Sequence, residues 1–420
     1  MKSTMTFWPG CFTRMKRVAK WIFFLLLLIS NTLVAGSPGT HIATSQKTIR
    51  VGADMPYKTP SAVADIAHDG DTIEILAGTY PGDVAVWKQN NITLRGVSGT
   101  VHILAKGQHA EGKAIWVIKG SNITIENIEF IGASVPDHNG AGIRFEGTNL
   151  TIRNCKFLKN ENGILTGENR SSEILIEHCE FAQNGFGDGY THNIYIGKIK
   201  SLTVRFCNIY GAISGHNVKS RAAINQIAYN RIMDERDGNS SYAVDIPNGG
   251  QAFLVGNVIQ QGLRSENYSI ISYGAEALSY PRNELFVVNN TIVNDRNDWG
   301  IFVKVNRSAL PAKIINNIFY GIGEQIEGPA IRKTNLVLSK NNAGGDLGGA
   351  QEFVESGAFD FRLRANSHAV NSGTDPTLFD DPRLFPNFQY NPVIGAQKRE
   401  IIAEIDIGAF EYQPEIAEYK

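Results

Sequence analysis

SNITIENIEF at Ser121–Phe130 returns as TNLTIRNCKF at Thr148–Phe157, as SEILIEHCEF at Ser172–Phe181 and as KSLTVRFCNI at Lys200–Ile209. Each copy alternates polar with aliphatic residues, the period of a strand that buries one face. Weaker copies extend the series in both directions. Matching Leu94, Ile125, Ile152, Ile176, Val204, Ile227, Leu254, Val287, Ile314 and Leu338 gives intervals of 23 to 33 residues. Such a period, carried by short strands between Asn and Gly turns, predicts an all-β chain. The expected form is a single-stranded right-handed parallel β-helix of about ten coils, over residues 48–345.

The same alignment stacks one turn position: Ile128, Cys155, Cys179, Cys207, Asn230, Asn257, Asn290, Asn317 and Asn341. Buried thiols behave as small apolar groups, and stacked Asn amides hydrogen-bond from rung to rung. The cysteines are therefore read as packing, not as disulfides or metal ligands. Asn-x-Thr triplets at Asn91, Asn122 and Asn149 fall inside the repeat, which accounts for them without glycans.

The chain of 420 residues carries 40 basic and 41 acidic residues, so no global charge recruits nucleic acid or an acidic membrane surface. Arg14, Lys16, Arg17 and Lys20 precede the apolar run WIFFLLLLI and the small-residue exit LVAGS. Residues 1–36 thus read as an export signal or retained anchor, and the mature chain is expected to be secreted or periplasmic, monomeric and free of the membrane.

Ahead of the coils, TPSAVADIAHDGDTIEILAGTYPG places a short amphipathic helix before the strand TIEIL. It resembles the N-terminal cap of pectin-lyase-like right-handed β-helix proteins. FDFRLRANSHAVNSGTDP and IDIGAFEY, within residues 346–420, resemble the closing segments of exported bacterial β-helix proteins. A solenoid needs such ends, because its terminal rungs otherwise expose a strand edge and apolar core.

A second strand precedes each repeat: GIRFEG, HNIYIG, HNVKSR, YAVDIP and WGIFVK. Stacking these about 4.8 Å apart predicts an outward column of Arg144, Tyr195, Lys219, Asp245 and Phe302. Beside it runs a column of His192, His216 and Tyr242, with Arg221 and Tyr190 nearby and Tyr273 and Glu276 ending a rung on the same side. Aromatic and cationic groups on one flat face suit an acidic polysaccharide, rings against sugar faces and cations against carboxylates.

NVKSRAAINQIAYNRI resembles polysaccharide lyases of the alginate-lyase and chondroitinase-B type, in which a Lys-Ser strand and a Tyr-Asn turn flank the site. The resemblance implies Lys219 as base. The strand expected to carry the partner Arg reads YAVDIPNGG instead, leaving Arg221 to substitute. The block from THNIYIG to SENYSIISYGAE also resembles exported bacterial β-helix proteins, which implies no mechanism.

Elimination needs a group to neutralise the uronate carboxylate (Arg144 or Arg221), a base for the C5 proton (Lys219 or a histidine) and an acid for the leaving oxygen (Tyr195 or Tyr242). A hydrolase would need two carboxylates, for which Asp234, Glu235, Asp237 and Asp245 are candidates. No cofactor is expected, although the acidic turn DERDGNSS offers oxygen ligands to Ca²⁺. The competing class is a noncatalytic carbohydrate-binding or surface-structural protein.

Overall fold

A computed structural model describes residues 46–340, 348–392 and 395–414; the predicted signal and Asn341 lie outside them. Each coil contributes three short strands, as in Val218–Ser220, Ile224–Ala228 and Arg231–Met233. All three pair in parallel with the coils before and after. The first strands of successive coils form a ten-stranded sheet. The second and third strands share a 21-stranded sheet, because Thr72–Pro81 and Thr93–Leu104 pair continuously around the intervening corner.

The residues matched in the repeat, from Leu94 to Ile314, pair rung upon rung and point inward, where all are buried. The last match is corrected. Ile314 pairs with Arg332, and Leu338 pairs with Tyr320 on the third strand. The final coil is short, and an apolar residue of its third strand imitates the pattern of its second.

The corner between second and third strands explains the turn ladder. Asn127, Asn154, His178, Phe206, Tyr229, Gly256, Asn289, Asn316 and Thr334 take φ between 51° and 66° there. Asn and Gly tolerate this left-handed backbone, whereas bulky side chains rarely do. Phe206 and Tyr229 offset the cost by stacking 5.6 Å apart beneath Phe388. The next residue of each coil turns inward, first as Ile128, then as the free thiols Cys155, Cys179 and Cys207, then as asparagine. Asn230, Asn257, Asn290 and Asn317 each donate to the next amide oxygen at 3.0 Å, ending on Asn335, which takes the place expected for Asn341. On the surface, Asn149 donates to Asn122 and Asn122 to Asn91, at 2.8 and 2.9 Å.

The expected cap helix is one turn, Ser61–Ala64, burying Val63 and Ala64. The C-terminal segment lies along the solenoid's flank. Phe353, Phe361, Leu363, Ile407 and Phe410 pack on Met233, Val258, Val293 and Tyr320, outward residues of the third strands. Leu384 packs on Phe253, Val255, Phe286 and Val288 of the second strands. Each such side chain contributes about 1.5–3 kcal/mol when fully buried. Arg399 and Glu411, both buried, pair at 2.9 Å inside the segment. On the outer face of the ten-stranded sheet the neighbours are loops of the solenoid itself.

Candidate functional site

On that face Arg144, Leu165, Tyr195, Lys219, Asp245, Ser272 and Lys304 occupy successive rungs of one column. Two corrections follow. Phe302 lies in the core, 5.3 Å from Phe319 and at right angles to it within 16°, its rings meeting at 74°, and Lys304 holds the outward place two residues on. Leu165 intervenes between Arg144 and Tyr195, so Arg144 stands two rungs from the tyrosine, about 10 Å away. The strand Asn162–Thr166 supplies this rung, and its NGILT sequence carries no polar outward mark.

The flanking column stacks as expected. His192 lies 4.7 Å from His216 and 5.5 Å from Tyr195, and His216 lies 5.1 Å from Tyr242. Each imidazole accepts a backbone N–H from the next rung at Nδ1: His192 from His216 at 2.9 Å, His216 from Tyr242 at 3.3 Å. In the neutral rings the proton therefore sits on Nε2. Burial, with the cationic Lys219 and Arg221 nearby, lowers the His216 pKa to about 3 and holds His192 well below the ordinary value. Beneath them a second amide ladder runs Asn160, Asn184, Asn193 and Asn217, at 3.0, 2.7 and 2.8 Å. The HN dipeptides at 192 and 216 are its only trace in the sequence.

Lys219 and Arg221 form the charged centre. Lys219 Nζ lies 3.5 Å from Asp245 Oδ2 and 3.9 Å from Glu276 Oε1. Arg221 donates through Nη1 and Nη2 to the two oxygens of Glu276 at 2.5 and 2.9 Å, a bidentate fork. The same guanidinium donates to Asn248 Oδ1 at 2.5 Å and, from Nε, to Tyr195 Oη at 3.0 Å. The Tyr280 hydroxyl donates to the Arg221 carbonyl. Asn248 and Tyr280 went unrecognised in the sequence because both sit in turns, PNGG and LSYPRN, that carry no strand period.

Asp245 is 3% exposed, and its Oδ2 also faces His216 Nε2 at 3.6 Å. Burial raises its pKa to about 6 against the opposing charge of Lys219. Glu276, with a side chain 50% exposed, is held below the usual carboxylate range by the Arg221 hydrogen bonds. Two carboxylates on one lysine thus differ in acidity. Burial likewise raises the Tyr242 phenol.

Other expected residues lie elsewhere. Tyr273 faces the core, in register with Ile246 and Val305, 1% exposed and donating to the Gly250 carbonyl at 2.5 Å. Tyr190 stands exposed in the loop before the His192 rung. Tyr229 of the lyase-like turn anchors the C-terminal segment, its hydroxyl oxygen accepting from the Asn387 N–H at 3.1 Å. In the acidic turn, Asp234 is buried and accepts from Gly262 N–H at 3.1 Å, while Glu235 pairs with Arg231 at 2.7 Å. Among the described residues no three His, Cys, Asp or Glu side chains cluster with metal-binding geometry, and no helix is long and apolar enough to cross a membrane.

A family model described as the right handed beta helix region matches residues 84–232. Among solved structures, pectate lyase Pel9A is 14% identical, covers 88% of this chain and 98% of its own, and superposes with a TM-score of 0.57. ORF18 of Geobacillus virus E2 is 14% identical over 66% of this chain and 56% of its own, with a TM-score of 0.41. An alginate lyase from Paenibacillus sp. str. FPU-7 is 13% identical over 69% of this chain and 99% of its own, with a TM-score of 0.37. The comparison with curated proteins finds no match. Parallel three-strand coils, stacked corner residues and the superposition on Pel9A together make this chain a right-handed parallel β-helix of the pectin-lyase-like fold.

Proposed function

We propose that the open face binds an acidic polysaccharide and cleaves it by β-elimination, on a chain exported through its N-terminal signal. The observation that best supports this is the position of one carboxylate. Glu276 accepts both arms of Arg221, at 2.5 and 2.9 Å, and lies 3.9 Å from Lys219. A uronate carboxylate in that position would be neutralised by the guanidinium, which acidifies the adjacent C5 proton, with an amine beside it. Glu276, half-exposed, is the part able to yield.

Lys219 then takes the C5 proton as the neutral amine. The released electron pair forms the C4–C5 double bond, the bond to the leaving oxygen breaks, and that oxygen takes a proton from the Tyr195 hydroxyl. Arg221 Nε already donates to Tyr195 Oη at 3.0 Å, which leaves the phenol hydrogen free to face the substrate. Asp245, buried 3.5 Å from the amine, is the group placed to receive the proton that Lys219 gives up before it acts as base. His192 and His216 are positioning residues, since both are buried and bonded through Nδ1.

One observation favours hydrolysis as a second reading. Asp245 is pushed up in pKa and Glu276 down beside a common lysine, the separation of acidities that an acid and a carboxylate partner require. Native protein and Lys219→Ala incubated with polygalacturonate, alginate and chondroitin sulfate distinguish the readings. Elimination produces new reducing ends together with ultraviolet absorbance from the unsaturated product, both lost in the variant. Reducing ends without absorbance would mean hydrolysis. Polymer bound without either signal would mean a noncatalytic binding strip.

A further inference from the structure

We infer a second sugar subsite three rungs from Lys219, built from Tyr268, Trp299 and Lys304, that holds one uronate residue of the same polysaccharide chain. The inference rests on the reading that this face takes an acidic polysaccharide.

Tyr268 and Trp299 lie at the entries to successive rungs, Ser269–Tyr273 and Ile301–Val305. They are 44% and 51% exposed, with ring centroids 6.1 Å apart and planes inclined by 32°. Neighbouring aromatic rings left open to solvent form a platform for the apolar face of a sugar. Lys304 borders the platform, its Nζ 3.3 Å from Tyr268 Oη and 5.3 Å from that ring's centroid.

Register links this platform to the charged centre. Lys304 follows Lys219 in the outward column after Asp245 and Ser272, and Arg144 precedes it after Tyr195 and Leu165. Cations therefore recur every third rung, about 14 Å apart at ordinary strand spacing. A linear polyanion laid along the solenoid axis meets all three. Their present partners, Glu146 at 3.6 Å from Arg144 and Glu327 at 3.7 Å from Lys304, are partly exposed pairs of the kind that contribute little, so they yield to a ligand.

The test measures binding of polygalacturonate and alginate fragments of increasing length to native protein, Trp299→Ala and Lys304→Gln. Native affinity should climb once a fragment reaches from Lys219 to Lys304. Each variant should then bind long fragments about tenfold more weakly, the equivalent of about 1.4 kcal/mol, and a trisaccharide as well as native protein does. Trp299→Phe should recover most of the loss. Unchanged long-fragment affinity in both variants overturns the subsite and leaves the Lys219 reading standing. An equal loss for the trisaccharide also overturns it, because the damage is then general to the face. A native protein that binds no fragment of either polymer overturns both.

Discussion

Two stacks of polar side chains run through the same coils of this solenoid. At the corner, Asn230 to Asn335 repeat one neutral amide, each donating to the next at 3.0 Å. On the open face, Tyr195, Lys219, Asp245 and Ser272 follow one another at the same rung spacing with no residue type repeated. The corner satisfies its buried groups. The face sets the buried Asp245 and Ser272 on neighbouring rungs and ties the half-exposed Glu276 into the Arg221 fork. Repetition carries the stability of a solenoid, and the coils that abandon it are where a varied polar site can be built.

The comparison breaks most sharply at Lys219. Lys219→Ala should lower turnover per folded molecule of a cleavable uronate polymer by about 10²–10⁴-fold, the usual weight of a proton-transfer group, and should also lower the melting temperature at pH 7, because the buried Asp245 loses its cation. The corner should behave in the opposite way. Asn257→Ala removes the oxygen that accepts from the Asn230 side-chain amide and backbone N–H, and the side-chain donor to Asn290 Oδ1, and should cost about 1–3 kcal/mol in denaturant unfolding while turnover per folded molecule stays unchanged.

Smaller effects sharpen the contrast through pH. His216 is neutral when folded, with its pKa lowered to about 3, and regains an ordinary value near 6.5 on unfolding. Its contribution to stability is whole above about pH 6.5 and is lost as pH falls towards 3. His216→Gln should therefore flatten the loss of melting temperature on acidification. Asp245 has the reverse sign. Raised to about 6, its contribution is whole below its unfolded value and lost as pH rises through 6. Asp245→Asn should raise the melting temperature at pH 7 and remove the acid limb near pH 6 from the pH profile of turnover.

What could be read in the sequence follows the same division. The repeat placed nearly every inward residue on its correct rung, because alternation of polar and aliphatic residues is imposed by burial and recurs in each coil. It failed at the last coil, where Leu338 of a third strand resembled the inward residue of a second. The outward column was legible where a polar residue marked it, as at Tyr195, Lys219 and Asp245. It was lost at Leu165, which bears no such mark, and at Ser272, whose small hydroxyl sits in the otherwise apolar run IISY, and it shifted by two residues at Phe302. Asn248, Glu276 and Tyr280 converge on Arg221 from turns and an inserted loop, and only Glu276 among them was singled out. Contacts of this kind depend on where a loop returns in space, which no strand period encodes. The C-terminal segment's place along two flanks likewise explains apolar outward residues such as Phe253 and Phe286, for which the repeat alone offers no reason.

The most direct measurement is the affinity of a uronate trisaccharide for native protein, Glu276→Gln and Arg221→Gln. If the Arg221 fork is the seat of the substrate carboxylate, Glu276→Gln removes an internal competitor and binding tightens, while Arg221→Gln abolishes it. Weaker or unchanged binding in Glu276→Gln, with Arg221→Gln binding as native protein does, would contradict the account and leave the fork as a brace for the inserted loop.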